Sequence, residues 1–527
     1  MNKDWQSLSL KEQIAQMIVV RASGYLFDHQ IRYPAWEASN TQLQHWLKEL
    51  NLGGVILLGG SSIELRARSQ QLQSSATIPL LIAADIEEGI GQRFPGGIWF
   101  PPPMALGAIY QQNPTLAIQY AEQMGRVTAK EARSIGINWL LAPVVDVNNN
   151  PDNPVINIRA FGESPEVVSA LSTAFITGAK SYPILTTAKH FPGHGDTTTD
   201  SHLELPSLPH DETRLTKIEL PPFQKAIAAG VDSVMTAHVS IRAWEGQPVT
   251  LSTEAITGRL RQQLGFSGLV VTDALIMGGI TKYASPAEVA VMAVEAGNDI
   301  LLMPDDPEVV IASIYDAVVS KRISQERIEQ SLKRIWQAKH KVSNSIATTP
   351  LSSPQDRSTV SSILQDSLST GGNIPLIPRK GDRNLIVVDD VLNTPYLDLN
   401  APAIAIPQQL GYQRQIVDSN SLDCILLDSR PTLLQVFIRG NPFRGSAGLT
   451  NKTKQIYRQL EADGQIEAIV IYGSPYVLQW FKSFMNINIP WAFSYGQMEQ
   501  AQTISLKALF NFNFNLLNSS SRGNFGF

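Results

Sequence analysis

The chain has 527 residues, 43% hydrophobic and 17% charged, with a net charge of −5 and a pI near 6.0. That length exceeds one ordinary domain, the composition is that of a globular protein with a large core, and the mild acidity offers no basic surface for nucleic acid. The single cysteine, Cys424, excludes an intrachain disulfide framework and a cysteine-based zinc finger.

Residues 1–15 lack the basic-then-apolar order of a signal peptide, and no uninterrupted apolar run reaches about 18 residues. A cytoplasmic protein without membrane insertion is therefore expected. Through the first 340 residues, short apolar runs read as strands: Gln16–Arg21, Gly54–Leu58, Pro79–Asp85, Ile137–Pro143, Ile184–His190, Ser233–Val239, Gly268–Asp273 and Asp299–Met303. Helical patterns fall between most of them, at Ile63–Gln73, Leu116–Ser134, Pro165–Gly178, Arg214–Ala229, Thr253–Leu264, Pro286–Ala296 and Pro307–Val318. This alternation predicts an α/β fold, a (β/α)8 TIM barrel, with a doubly wound open sheet as its rival. Strand ends favour the barrel. Asp85, Pro143, Lys189, His190, His238 and Asp273 all sit at the C-terminal ends of candidate strands, which a barrel gathers on one face.

A closing helix is expected over Arg322–Lys341, ending a catalytic barrel domain at residues 1–342. Residues 343–380 open with a Ser/Thr/Pro-rich stretch without periodicity and read as a linker. Residues 381–527 read as a smaller C-terminal α/β domain with a terminal tail from Asn511. Its candidate strands are Leu385–Asp389, Ala403–Pro407, Cys424–Leu427, Gln435–Arg439, Ala468–Tyr472 and Trp491–Ser494, with helices at Lys452–Ala462, Tyr476–Phe484 and Met498–Phe510.

The segment Lys189–His202 concentrates the chemistry. It holds three of the eight histidines of the chain, two aspartates and a lysine, and its Pro and Gly residues keep it irregular. Asp200-Ser201-His202 can pair a proton-transferring imidazole with a carboxylate that orients it, or can be an Asx turn beside a surface histidine. Asp273 ends an apolar strand, where it is either a nucleophile or the cap of the next helix; Asp85 stands in the same relation to its strand. Glu87 and Glu88, beside it, are candidates for a general acid. His190 and His194 have the spacing of a zinc pair, but no H-E-x-x-H helix accompanies them, and neither a metal nor a cofactor is expected.

Lys189-His-Phe-Pro-Gly-His-Gly-Asp-Thr-Thr-Thr-Asp-Ser-His202 resembles the signature of glycoside hydrolase family 3, in its β-N-acetylglucosaminidase branch. Asn157-Ile-Arg159-Ala-Phe-Gly-Glu163, Met235-Thr-Ala-His238-Val and Gly265-Phe-Ser-Gly-Leu-Val-Val-Thr-Asp273 support the resemblance, which spans most of the first 340 residues. It implies a retaining hydrolase of terminal β-linked N-acetylglucosamine. The nucleophile then maps to Asp273, the acid/base to His202 with Asp200 on a mobile loop, and the sugar hydroxyl contacts to Asp85, Arg159, Lys189 and His190. The implied partner is a small carbohydrate or a muropeptide from peptidoglycan. Gly193 to Thr199 is expected to be the hinge of the loop. Where the family usually carries Glu-Gly-Gly-Arg, this chain has Glu87-Glu88-Gly89-Ile90, a departure that bears on the leaving-group side or the 2-acetamido preference.

Overall fold

The computed structural model describes residues 4–511, except 32, 35–36, 200, 202, 245, 344–348, 392–393 and 441–446. The chain forms two compact units, one ending at Thr359 and one beginning at Val360.

In the first unit, β1 (Ile18–Ser23), β2 (Gly54–Leu58), β3 (Leu81–Ala84), β4 (Trp139–Leu140), β5 (Thr187–Phe191), β6 (Ser233–Thr236), β7 (Leu269–Thr272) and β8 (Leu301–Leu302) fall on the expected strands. They make two parallel sheets, in the orders β8-β1-β2-β3-β4 and β5-β6-β7. Parallel bridges Trp139–Leu185 and Val271–Ile300 join the sheets at both edges. The ring therefore closes into the expected barrel, and the open sheet is excluded. Both faces of these strands are covered, one by the barrel interior and one by helices, so β1, β3, β6 and β7 are buried at every residue. Trp139 fills the interior, and its indole N–H reaches the hydroxyls of Thr187 (2.8 Å) and Ser233 (3.0 Å), so a bulky core residue is satisfied where water is absent.

Local signals explain why the helix positions were legible. Ser61 and Glu64 form a capping box on Ser62–Ser75; Ser164, Ser285, Asp306 and Ser324 cap Pro165–Ala179, Pro286–Ala296, Pro307–Val319 and Gln325–Lys341. Proline opens three of these, where its missing N–H has no helical partner to lose. Glu254–Gln263 is wound as a π-helix. Two nine-residue helices, Asn40–Lys48 and Met104–Gln112, were not expected. The first carries only Leu43, Trp46 and Leu47 as its buried face, and the second follows a run of three prolines, so neither offers a long periodic pattern.

The second unit is a sheet in the order β9-β14-β13-β12-β10-β11, comprising β9 (Ser369–Gly371), β10 (Arg383–Val387), β11 (Gln413–Val417), β12 (Thr432–Ile438), β13 (Ile466–Gly473) and β14 (Trp491–Ser494). All neighbours are parallel except the antiparallel β9–β14 pair. Two expected strands are corrected. Ala403–Pro407 lies in the helix Pro402–Gln409, and Cys424–Leu427 in the 3-10 helix Leu422–Leu427. A five-residue apolar run has no period long enough to separate strand from buried helix, and Pro402 at a first turn settles the former as a helix. Edge strand β11 was missed because it opens on the polar Gln413-Arg-Gln, with Gln413 and Arg414 exposed. Within residues 343–380, Pro354–Asp366 is helical and Ser369–Gly371 is strand β9. Most of the tail expected from Asn511, residues 512–527, lies outside the described residues.

Candidate active site

The C-terminal ends of the parallel strands carry the charged residues. Asp85 follows β3, Lys189 and His190 lie in β5, and Asp273 follows β7; Arg159 comes from the turn Asn157–Arg159 in the long connection after β4. Lys189 is buried, and its ammonium lies 2.8 Å from Asp85 Oδ1 and 2.7 Å from Glu87 Oε1. Arg159 forks onto the same Glu87, with Nε–Oε2 and Nη2–Oε1 both at 2.8 Å, and a third N–H donates to the Val155 carbonyl. The group thus sets two cations against two carboxylates.

Burial pushes the Glu87 carboxyl up, but the charges and hydrogen bonds of Arg159 and Lys189 outweigh it and hold Glu87 well below the usual carboxylate range. It has no proton to give, which removes Glu87 as a general acid. Burial likewise opposes the charge on Lys189, and Asp85 and Glu87 overcome it, so the ammonium persists. Asp85 keeps 29% and Arg159 19% of its side-chain surface open to solvent, against 3% for Glu87. Asp85 and Arg159 are the members of the group that can meet a ligand, and Glu87 is the anchor between the two cations.

His190 is set by a residue the sequence reading did not single out. Asp146, fully buried beyond β4, places Oδ2 2.8 Å from His190 Nδ1, while Oδ1 accepts the backbone N–H of His190 (3.1 Å) and of His194 (2.8 Å). Burial raises Asp146, but His190 and these bonds lower it further than burial lifts it, so it stays ionised and His190 is held by Nδ1–H. A carboxylate three residues past the end of a candidate strand was the available signal. The Lys189–His190 peptide is cis, as are Phe191–Pro192 and Ala142–Pro143.

Asp273 is half-buried; its Oδ1 accepts from the Ala274 N–H at 2.7 Å and its own N–H binds the Thr236 carbonyl. The adjoining turn is braced by buried His238, whose Nε2 lies 3.1 Å from the Ala274 carbonyl and whose Nδ1 lies 2.8 Å from Thr250 Oγ1. Asp200 and His202 lie outside the described residues. Ser201 between them is described and buried. The segment Gly193 to Thr199 is not a free hinge. His194 and Thr197 are buried, Gly193 adopts φ 136°, and a Cβ on Gly195 would come within 1.8 Å of the Val147 carbonyl. Asp196, Thr198 and Thr199, on either side of the buried Thr197, are the partly or fully exposed residues of this segment.

The departure at Glu88 is equally physical. Glu88 is fully buried and its Oε2 accepts the Trp99 indole N–H at 2.9 Å, while Ile90 is buried in the core. The backbone N–H groups of Glu87 and Glu88 both bind Gln92 Oε1, which shapes the turn after β3. Among the described residues, no three His, Cys, Asp or Glu side chains group as metal ligands, and no helix is long and apolar enough to cross a membrane.

Residues 9–338 match the profile of the glycosyl hydrolase family 3 N-terminal domain, and residues 377–511 that of the bacterial family 3 C-terminal domain. β-Hexosaminidase A of Pseudoalteromonas piscicida is 32% identical over 382 residues, 66% of this chain and 63% of that protein. A β-hexosaminidase of Nitrosomonas eutropha is 34% identical over 306 residues, 56% of this chain and 86% of that protein. Among solved structures, a family 3 β-N-acetylglucosaminidase from Paenibacillus sp. str. FPU-7 superposes with a TM-score of 0.81 at 29% identity, covering 96% of this chain and 97% of that one. A β-glucoside phosphorylase shares the fold at 21% identity, with a TM-score of 0.81 over 96% and 93% of the two chains. With profile matches running through both units and curated relatives above 30% identity, the chain belongs to glycosyl hydrolase family 3.

Proposed function

We propose that the protein is a retaining β-N-acetylhexosaminidase, cleaving terminal β-linked N-acetylglucosamine through a glycosyl-enzyme intermediate on Asp273. The observation that carries this reading is the half-buried Asp273 carboxylate at the same end of the barrel as the Lys189 group, with its Oδ1 fixed by the Ala274 N–H. The β-hexosaminidase relatives support the substrate class. Asp85, Arg159, Lys189 and His190 bind sugar hydroxyls in this mechanism, since two open charged groups and an oriented imidazole supply both donors and acceptors. His202, protonated and paired with Asp200, gives its proton to the leaving oxygen as Asp273 attacks the anomeric carbon. Neutral His202 then takes a proton from water, which displaces Asp273 with net retention.

The natural substrate in this reading is a peptidoglycan-derived fragment met in the cytoplasm. Aryl β-N-acetylglucosaminide and aryl β-glucoside, each with and without phosphate, form the decisive panel. Phosphate-independent hydrolysis of the N-acetylglucosaminide is expected. Preference for the glucoside would make the protein a β-glucosidase, a rate that requires phosphate would make it a phosphorylase, and binding without turnover would make it a sugar-binding protein.

A further inference from the structure

His194 is buried in the loop after β5 with both ring nitrogens occupied. Nδ1 lies 2.7 Å from Thr197 Oγ1, and Nε2 lies 2.9 Å from Ser201 Oγ. The Thr197 hydroxyl already donates to the His194 carbonyl at 3.2 Å and receives the Asn153 amide at 3.4 Å. With its proton spent, that hydroxyl accepts from His194 Nδ1–H, which leaves Nε2 to accept the Ser201 O–H. Burial first, and the neighbouring His190 second, bring the His194 pKa down to about 4, so the ring stays neutral at physiological pH.

Ser201 is held from its other side as well. Its carbonyl accepts the Gly279 N–H at 3.1 Å, and Lys282 donates to the Leu203 carbonyl at 2.8 Å. Gly279 belongs to the short helix Gly278–Thr281, six residues beyond Asp273. A Cβ there would come within 2.6 Å of the Ser201 carbonyl, so the two backbones touch.

We propose that His194 is a positioning residue: its imidazole clips Thr197 to Ser201, the residue between Asp200 and His202 in sequence, while the Ser201 carbonyl is tied to Gly279 in the segment after Asp273. This rests on the reading of Asp200 and His202 as the acid/base pair. Thr197 and Ser201 straddle Asp200 in sequence, and Ser201 is bonded to both His202 and Asp200 along the chain. One neutral ring that accepts at one edge and donates at the other can hold both feet of the stretch without bringing a charge into the buried site.

The test uses the full chain with Ser201→Ala, Thr197→Val and the conservative Thr197→Ser, assayed on aryl β-N-acetylglucosaminides with good and poor leaving groups. The expected result is a kcat about 10-fold lower on the poor leaving group, the size of one buried hydrogen bond. A smaller loss is expected on the nitrophenyl substrate, with KM within about 2-fold of the parent and Thr197→Ser restoring the rate. An unchanged kcat, or an equal loss on both leaving groups, would overturn the proposal. Backbone hydrogen exchange over residues 196–204 reads the clip without turnover: faster exchange in Ser201→Ala and Thr197→Val, with recovery in Thr197→Ser, supports it. Unaltered exchange overturns the clip. Absence of turnover in the parent with altered exchange in the variants overturns the hydrolase reading and leaves the clip standing.

Discussion

The two ends of the barrel each bury a carboxylate among basic side chains, and they differ in what is left exposed. At the floor, before β8, Asp299 is fully buried and accepts from the Val270 N–H (3.0 Å), Ser331 Oγ (2.8 Å), Arg334 (3.0 Å) and Arg261. Arg327 adds a longer contact at 3.4 Å and also binds the Asn298 carbonyl. Ser331, Arg327 and Arg334 all come from the closing helix Gln325–Lys341, so this group fastens that helix across the barrel floor. At the mouth, Glu87 is buried and paired just as fully, yet its cation Lys189 is shared with Asp85, whose side chain remains partly open. A buried ion pair is therefore not in itself a mark of function. A partly open carboxylate held beside a buried pair is, because it has capacity left for a ligand.

Substitutions at the two ends should separate activity from stability. The largest effect is expected from Asp273→Asn at the mouth, which should lower kcat on an aryl β-N-acetylglucosaminide by at least about 10⁴-fold while the thermal midpoint moves little. Retained turnover would remove Asp273 as nucleophile. At the floor, Asp299→Asn leaves three guanidinium groups without their shared counter-charge and should cost about 3–5 kcal/mol in denaturant unfolding. Its activity per folded molecule, measured well below the midpoint, should be unchanged; a specific kinetic defect would erase the distinction between the two ends.

Glu87→Gln tests whether the anchor at the mouth serves binding. Loss of about 100-fold in kcat/KM is expected, carried mainly by KM, because Lys189 and Arg159 lose their common carboxylate. Its pH signature has a definite sign. Glu87 sits below its unfolded value near 4.5, so its stabilising contribution is complete above about 4.5 and fades as acid approaches the folded pKa. The variant should show a flatter loss of stability below pH 4.5 than the parent.

The smallest effect is expected at Lys339, buried at the floor with its ammonium 2.6 Å from Gln16 Oε1. Burial lowers its pKa to about 7. Protonation therefore favours the unfolded chain, and stability should fall as pH drops from about 10.5 to about 7, with no further loss from this group below that. Lys339→Met should stabilise by roughly 1–2 kcal/mol at pH 7, and the gain should shrink as pH rises toward 10. A pH-independent difference would show that the lysine titrates in the fold as it does in the unfolded chain, as a solvated ammonium would.

Much of the barrel was legible because its signals are local. Ser61, Ser164, Ser285, Asp306 and Ser324 announce helix starts within four residues of sequence, and strands covered on both faces read as apolar runs. The same rule failed at Ala403–Pro407, where a short apolar run is helical, and at Gln413–Val417, where a polar edge strand takes its pairing from Arg383–Val387. At the mouth, Asp85, Arg159, Lys189, His190 and Asp273 stood out as charged or titratable residues at strand ends or on motifs. Asp146 did not, because its importance comes from two backbone N–H groups and a ring supplied from 44 and 48 positions away.

The sequence by itself determined the order of the elements, the barrel and the residue types gathered at its mouth, since period, capping and strand-end placement are all short-range properties. Only the tertiary structure decided which charges are spent. Glu87 became an anchor rather than an acid because Arg159 and Lys189, 72 and 102 residues downstream, converge on it. Both nitrogens of His194 are engaged, by the Thr197 and Ser201 hydroxyls three and seven residues along the loop. Protonation and free bonding capacity depend on burial and on the distance to the nearest opposite charge, and folding sets both.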